Sequence, residues 1–431
     1  MNRKILHIAL PSIVSNITVP LLALVDTTIV GHLGAAAYIG AIAIGGMIFN
    51  MIYWLFSFLR MGTGGLTAQA YGANNSSETN HILMRSLAIA LGASLFLILL
   101  QGPILYLTFG FVQASAEVRL WASVYFKLLI WGAPAVLGLY SFVGWFLGMQ
   151  NTRVTMFIAI VQNVVNIIAS MLFVFVFKMK VEGVALGTLI AQYAGLLMAF
   201  VIWFTQFHHK SGSLSWYGVF SKSEMLSFFN VNRDIFLRTL CLIAVTTYFT
   251  SAGSAQGELT LAANTLLMQF FIIFSYVMDG FAYAGEALGG RYCGARDMVN
   301  FKRLAHHLFV FGAALAVLFS LAYVGGGSHL LHLLTNDEAV VVQAQHYLLL
   351  ASVIPLLSFA AFLFDGLYVG TTSTRYMLMS MFFASLSFFI VVKVFPLSNF
   401  LLWTAFLVYL GGRGLMQCLL FKHVLKRVVD K

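Results

Sequence analysis

Four carboxylates stand inside long apolar runs of this sequence: Asp26, Asp279, Glu286 and Asp365. A charged side chain in hydrocarbon costs roughly 3 kcal/mol on insertion scales, so each needs a partner or a task. Asp26 lies in PLLALVDTTIVGHLG, and no Lys or Arg occurs between Lys4 and Arg60. A carboxylate in apolar surroundings without a cationic neighbour is a natural proton carrier. The plainer alternative is an Asp bonded to the adjoining hydroxyls of Thr27 or Thr28. Pro20 stands just upstream. It removes one helix hydrogen bond and can bend the segment.

The other acidic residues have more obvious neighbours. Asp279 and Glu286 share a helix face two turns apart. Glu286 is close in sequence to Arg291, so an ion pair at a helix end competes with a functional reading. Asp365, in FAAFLFDGLYVGTTSTR, is a candidate coupling group. A polar stretch, VQNVVNIIAS, carries Gln162, Asn163, Asn166 and Ser170. Asn163, Asn166 and Ser170 fall near one helical stripe. They either line a cavity with Asp26 or bond across helices. Met47, Met51 and Met61 offer an adaptable thioether surface for flat lipophilic cations, although lipid-facing filler explains most such residues. No catalytic motif is present, so no enzyme is expected. Cys241, Cys293 and Cys418 are scattered and give neither a disulfide framework nor a metal site.

The elements that must hold these groups follow from composition. Of 431 residues, 61% are apolar and 9% charged, against about 25% charged in soluble domains. That excludes a soluble globular protein, a disordered chain and a nucleic-acid module. Membrane-spanning helices need roughly 20 apolar residues each. Twelve segments qualify, at 5–30, 38–65, 82–109, 121–148, 155–177, 182–206, 232–253, 259–288, 303–324, 343–370, 374–395 and 399–421. Nineteen of the 24 Lys and Arg fall on the side that carries both termini. The positive-inside bias then makes both termini cytoplasmic.

The chain also repeats. GWFLGMQNTR at 144–153 and GLYVGTTSTR at 366–375 match at an offset of 222. The same offset pairs Gly72-Ala73 with Gly294-Ala295, Gly31 with Gly253 and Leu66 with Leu288. Two lobes of six spans follow, 1–206 and 232–431, joined by a cytoplasmic linker at 207–231. An even number of spans per repeat gives parallel halves, related by a pseudo-two-fold axis, as alternating-access transporters need.

Several motifs carry a resemblance. ALPSIVSNITVPLLALVDTTIVGHLG resembles the first helix of multidrug and toxic compound extrusion (MATE) transporters, and LRMGTGGLTAQAYGANN the end of their second. NRDIFLRTL, MDGFAYAGEALGGRYCGARD and FLFDGLYVGTTSTR resemble the DNA-damage-inducible F (DinF) branch. The resemblance implies an all-α polytopic fold of twelve helices in two lobes. It also implies export of organic cations and other toxic compounds in exchange for protons or sodium. By the same resemblance Asp26 matches a cation- and proton-binding aspartate, and Asp365 a coupling aspartate of another branch. Asn166 and Thr188 match an N-lobe polar cluster. Relatives often carry Asp where this chain has Ser170, and the seventh span has no acidic residue from Leu240 to Gly257. A hard cation prefers several oxygen ligands, so sodium at Asp26 is the weaker expectation and protons the stronger. The expected protein is a monomeric antiporter of the bacterial cytoplasmic membrane, with no cofactor and no nucleic-acid partner. A lipid-linked oligosaccharide flippase is the rival transport class; it would line its cleft with Arg or Lys for pyrophosphate.

Overall fold

A computed structural model describes residues 1–31, 36–112, 114–207 and 219–430, with no strand among them. Inside a bilayer every backbone amide must be bonded within the protein, and continuous apolar runs of this length meet that demand as helices. α1 is Asn2–Gly31, long enough to span. Eleven further helices have the length and hydropathy to cross: α2 Ala36–Gly72, α3 Ser76–Leu99, α4 Ala116–Gly148, α5 Thr152–Val176, α6 Val181–Phe207, α7 Lys222–Ser254, α8 Glu258–Gly294, α9 Met298–Leu334, α10 Leu348–Gly370, α11 Thr374–Val394 and α12 Asn399–Val429. Short helices Gln101–Phe111 and Glu338–Gln345 lie between these.

Packing divides the chain into two units. One is Val14–Phe228; the other is Phe229–Lys431 together with Met1–Ile13. The first turns of α1 therefore pack with α8: a Cβ at Gly280 would stand 2.8 Å from Ala9's carbonyl oxygen. The expected linker at 207–231 is shorter than its polarity suggests. Residues 208–218 lie outside the described residues, and helix α7 already begins at Lys222. Phe228, on its early turns, is buried against Ala70 and Ile82. The buried Arg85 of α3 donates through Nε to Val219's carbonyl and bonds Glu78 at 2.5 Å.

The repeat recurs in the turns and in the glycine contacts. α2 and α3 meet at a turn where Asn74 takes φ 57°, and α8 and α9 where Arg296 takes φ 55°. Asn75's N–H bonds Ala70's carbonyl at 2.9 Å, and Asp297's bonds Tyr292's at 2.8 Å. Both residues then cap the next helix: Asn75 accepts from Glu78's N–H at 3.1 Å, and Asp297 from Asn300's at 3.0 Å. These are left-handed helix C-terminal turns followed by side-chain N-caps. The glycines have a packing role. A Cβ at Gly144 would overlap Arg60's carbonyl oxygen, and one at Gly148 would stand 2.7 Å from Gly64's. In the second unit, a Cβ at Gly366 would overlap Ala282's carbonyl oxygen, and one at Gly370 would stand 2.5 Å from that of Glu286. Each glycine and the carbonyl it meets differ from their mates by the repeat offset. Small residues four apart let α4 lie directly on α2, and α10 on α8.

Candidate functional site

Asp26 sits in the last third of α1, buried at 8% exposure, and its Oδ1 has no hydrogen-bond partner among the described residues. Nor is any ion pair to it seen among them. Thr28, the alternative partner, donates to Leu24's carbonyl at 2.8 Å. Tyr125 of α4 lies within electrostatic reach of the carboxylate. Its ring rests on α2 at Gly45, where a Cβ would overlap it. Tyr53, Tyr140 and Tyr193 gather with Tyr125. Tyr53's buried hydroxyl has no partner among the described residues, whereas Tyr193 donates to Trp131's carbonyl at 2.8 Å. These tyrosines were not legible in the sequence, because the chain has 17 and nothing in their spacing marks four of them.

Part of the polar stretch bonds across helices. Asn166 donates to Thr188 at 2.9 Å, and Ser170 to Asn166's carbonyl oxygen at 3.5 Å; Asn166 and Ser170 are fully buried. Gly187 permits this, since a Cβ there would overlap Ser170 Oγ. Asn163 instead reaches α1, donating to Thr18's carbonyl at 3.2 Å, two residues before Pro20. The second unit shows what occupies these places without polar groups. At the repeat offset Asp26, Asn166, Ser170 and Thr188 become Tyr248, Phe388, Val392 and Leu410. Phe388, Val392 and Leu410 are core residues, with Tyr248 packed against them. Tyr248 and Phe388 meet at 6.0 Å between ring centroids.

Asp365 is placed differently from an open coupling carboxylate. It is buried at 6% exposure on α10. Arg238 of α7 and Arg413 of α12 both donate to its Oδ2, and Gln417 of α12 donates to its Oδ1 at 2.5 Å. Tyr368's hydroxyl completes the set on Gln417's carbonyl at 2.6 Å. Asp365 is therefore the counter-ion of two buried guanidiniums. Arg238 and Arg413, two of the nineteen basic residues assigned to the side of the termini, lie inside helices and are paired there. The i, i+4 spacing of Arg413 and Gln417 in an apolar run was the available signal for this cluster. Asp279 is half-buried, within electrostatic reach of Arg413. Glu286 is buried with its backbone against Gly370. Met47 and Met51 are exposed and Met61 is half-buried.

Among the described residues no group of three His, Cys, Asp or Glu could hold a metal ion. The first unit offers one buried carboxylate with an unbonded oxygen, near Tyr125, and a cluster of mutually bonded hydroxyls and amides at Asn166, Thr188 and Ser170. Comparison with known proteins agrees with that outline. A family model described as MatE matches residues 11–172 and again 235–395, one copy per repeat. The chain is 36% identical to DNA damage-inducible protein F of Escherichia coli (strain K12), covering 98% of this chain and 92% of that protein. It is 23% identical to the multidrug export protein MepA of Staphylococcus aureus (strain NCTC 8325 / PS 47), covering 86% and 82%. In fold it is similar to a crystal structure of MATE in the bent conformation, with TM-score 0.87 at 17% identity, covering 100% and 96%. The chain belongs to the MatE family and is a multi-pass membrane transporter, not an enzyme.

Proposed function

We propose that the protein exports lipophilic organic cations from the bacterial cytoplasm in exchange for protons, with Asp26 as the coupling carboxylate. The observation that carries this reading is the contrast between the two lobes' aspartates. Asp26 is buried with an oxygen unbonded, while Asp365 is saturated by Arg238, Arg413 and Gln417. A buried carboxylate without a partner is costly until a proton or a cation neutralises it. That makes Asp26 a group on which the two can compete. Sodium is less well served. Asn166, Thr188 and Ser170 bond one another, and Ser170 supplies no second carboxylate. The export activity named for MepA supports a drug-like substrate range.

Proton uptake at Asp26 would remove its attraction for a bound organic cation and free the segment around Pro20 to repack. Substrate leaves, the transporter returns, and the proton is released inside. Both termini face the cytoplasm in this scheme, and the working unit is a monomer. The test is dye-cation transport in proteoliposomes under an imposed pH gradient or an imposed sodium gradient. Wild type driven by the pH gradient alone, with Asp26→Asn inactive though folded, is the expected result. Sodium-driven transport that survives Asp26→Asn would overturn the reading.

A further inference from the structure

The first unit holds a second place suited to a cation. The rings of Tyr38, at the start of α2, and Trp121, in the early turns of α4, meet edge to face at 5.2 Å and 88°. Lys180, the residue before α6, points its ammonium at both, 5.6 Å from the Tyr38 centroid and 5.3 Å from that of Trp121. Tyr38's hydroxyl above all, and Glu182 and Glu117 beside it, hold the Lys180 amine above the usual lysine range. Two aromatic rings beside one ammonium, with Glu182 and Glu117 within electrostatic reach, form the core of an aromatic cage, the arrangement that recognises organic ammonium ions. The residues are well placed to let the lysine go. Lys180 is exposed and its stem flexible, while Tyr38 is buried and Trp121 half-buried. The receptor is thus fixed and its occupant loose.

None of the three residues is demanded by the scaffold. At the repeat offset Tyr38, Trp121 and Lys180 correspond to Thr260, Gln343 and Leu402. Turns and glycine contacts recur across that offset; this cage does not. We propose that Tyr38 and Trp121 form a subsite for organic ammonium ions, which Lys180 occupies when no such cation is present. It rests on the reading of the protein as an exporter of organic cations, and adds a second station to the one at Asp26.

The experiment titrates tetraethylammonium into the purified full-length protein by calorimetry. Lys180→Met keeps the stem and removes the internal competitor. An exposed cation–π contact biases occupancy by a factor of about two to five, so removing it should tighten binding about three- to sixfold. Trp121→Leu in the Lys180→Met background should abolish that gain, and Asp26→Asn in the same background should leave it. Unchanged affinity in Lys180→Met, in protein that still transports dye cations under a pH gradient, overturns the subsite and leaves the exporter reading standing. A gain that survives Trp121→Leu also overturns it, since loss of positive charge alone then explains the effect. Failure of the exporter reading shows separately, as absence of dye-cation transport in wild type. The calorimetric gain in Lys180→Met still reports on the cage in that case.

Discussion

Asp365 separates a coupling role from a structural one most sharply. Asp365→Asn changes little in size but removes the charge that Arg238 and Arg413 share. Both arginines are buried, at 9% and 3% exposure, and the Nε of each already has no partner among the described residues. Removing one member of a buried ion pair leaves an uncompensated charge and costs about 3–5 kcal/mol. Here two guanidiniums lose their shared anion, so the upper part of that range is expected. Replacing the whole set by apolar residues of similar volume is often neutral. The triple variant Asp365→Leu, Arg238→Met, Arg413→Met should therefore recover most of the loss. The assay is thermal unfolding of detergent-solubilised protein, followed by size-exclusion recovery of a fluorescent fusion. A large drop in Tm for Asp365→Asn, rescued in the triple variant, fits a counter-ion. Wild-type stability in Asp365→Asn together with lost proton coupling would refute the argument and restore Asp365 as a coupling residue.

The packing and polar contacts give further expectations, read with the same unfolding assay. Gly370→Ala forces a methyl to within 2.5 Å of Glu286's carbonyl oxygen and 2.8 Å of Gly290's nitrogen; backbone cannot swing aside, so a loss of about 1–3 kcal/mol is expected. Gly325→Ala in α9 meets nothing within 4 Å and should instead stabilise by about 0.5–1 kcal/mol through helix propensity. Equal effects of the two would contradict the packing. Asn264 exchanges amide bonds with Asn399 at 2.7 and 3.0 Å and accepts Trp403's indole N–H at 2.8 Å. Asn264→Leu strands these buried groups and should cost about 2–3 kcal/mol; a neutral result would mean that water satisfies them.

The scaffold was legible in the sequence because its signals are local. Apolar runs mark the spans, and turn residues such as Asn74-Asn75 and Arg296-Asp297 mark the repeat. Asn166 and Ser170 were legible as neighbours from their spacing of four, whereas Thr188, 22 residues from Asn166, entered only through family resemblance. The pairing of Asp365 was out of reach because its partners stand 127 and 48 residues away. Nothing in an apolar run says which distant arginine a carboxylate will find. The start of α7 was misplaced for another reason. KSEMLSFFNVN has the polarity of a loop, and it becomes helix through packing of Phe228 and the bond from Met225's N–H to Ser221's carbonyl at 3.0 Å.

Departures from the repeat are where chemistry should be sought, but a departure alone is not enough. Thr63, Ser86 and Ser141 form a buried hydroxyl chain with links of 2.7 Å, and their mates are Gly285, Leu308 and Leu363. That chain is satisfied internally and joins α2, α3 and α4. Asp26 differs because the bonding around it is incomplete, while its mate Tyr248 packs against an apolar core. The same scaffold therefore tolerates an apolar filling at this place, and the first unit gives up stability to keep a carboxylate there. Asp26→Leu should then unfold at a temperature equal to or above wild type, gaining about 1–2 kcal/mol from removal of a buried, unpaired polar group. The same variant should lose pH-driven transport, the trade expected where activity needs a destabilised group. If Asp26→Leu destabilises the protein as much as Asp365→Asn does, Asp26 is a structural counter-group, and the assignment of proton coupling to it fails.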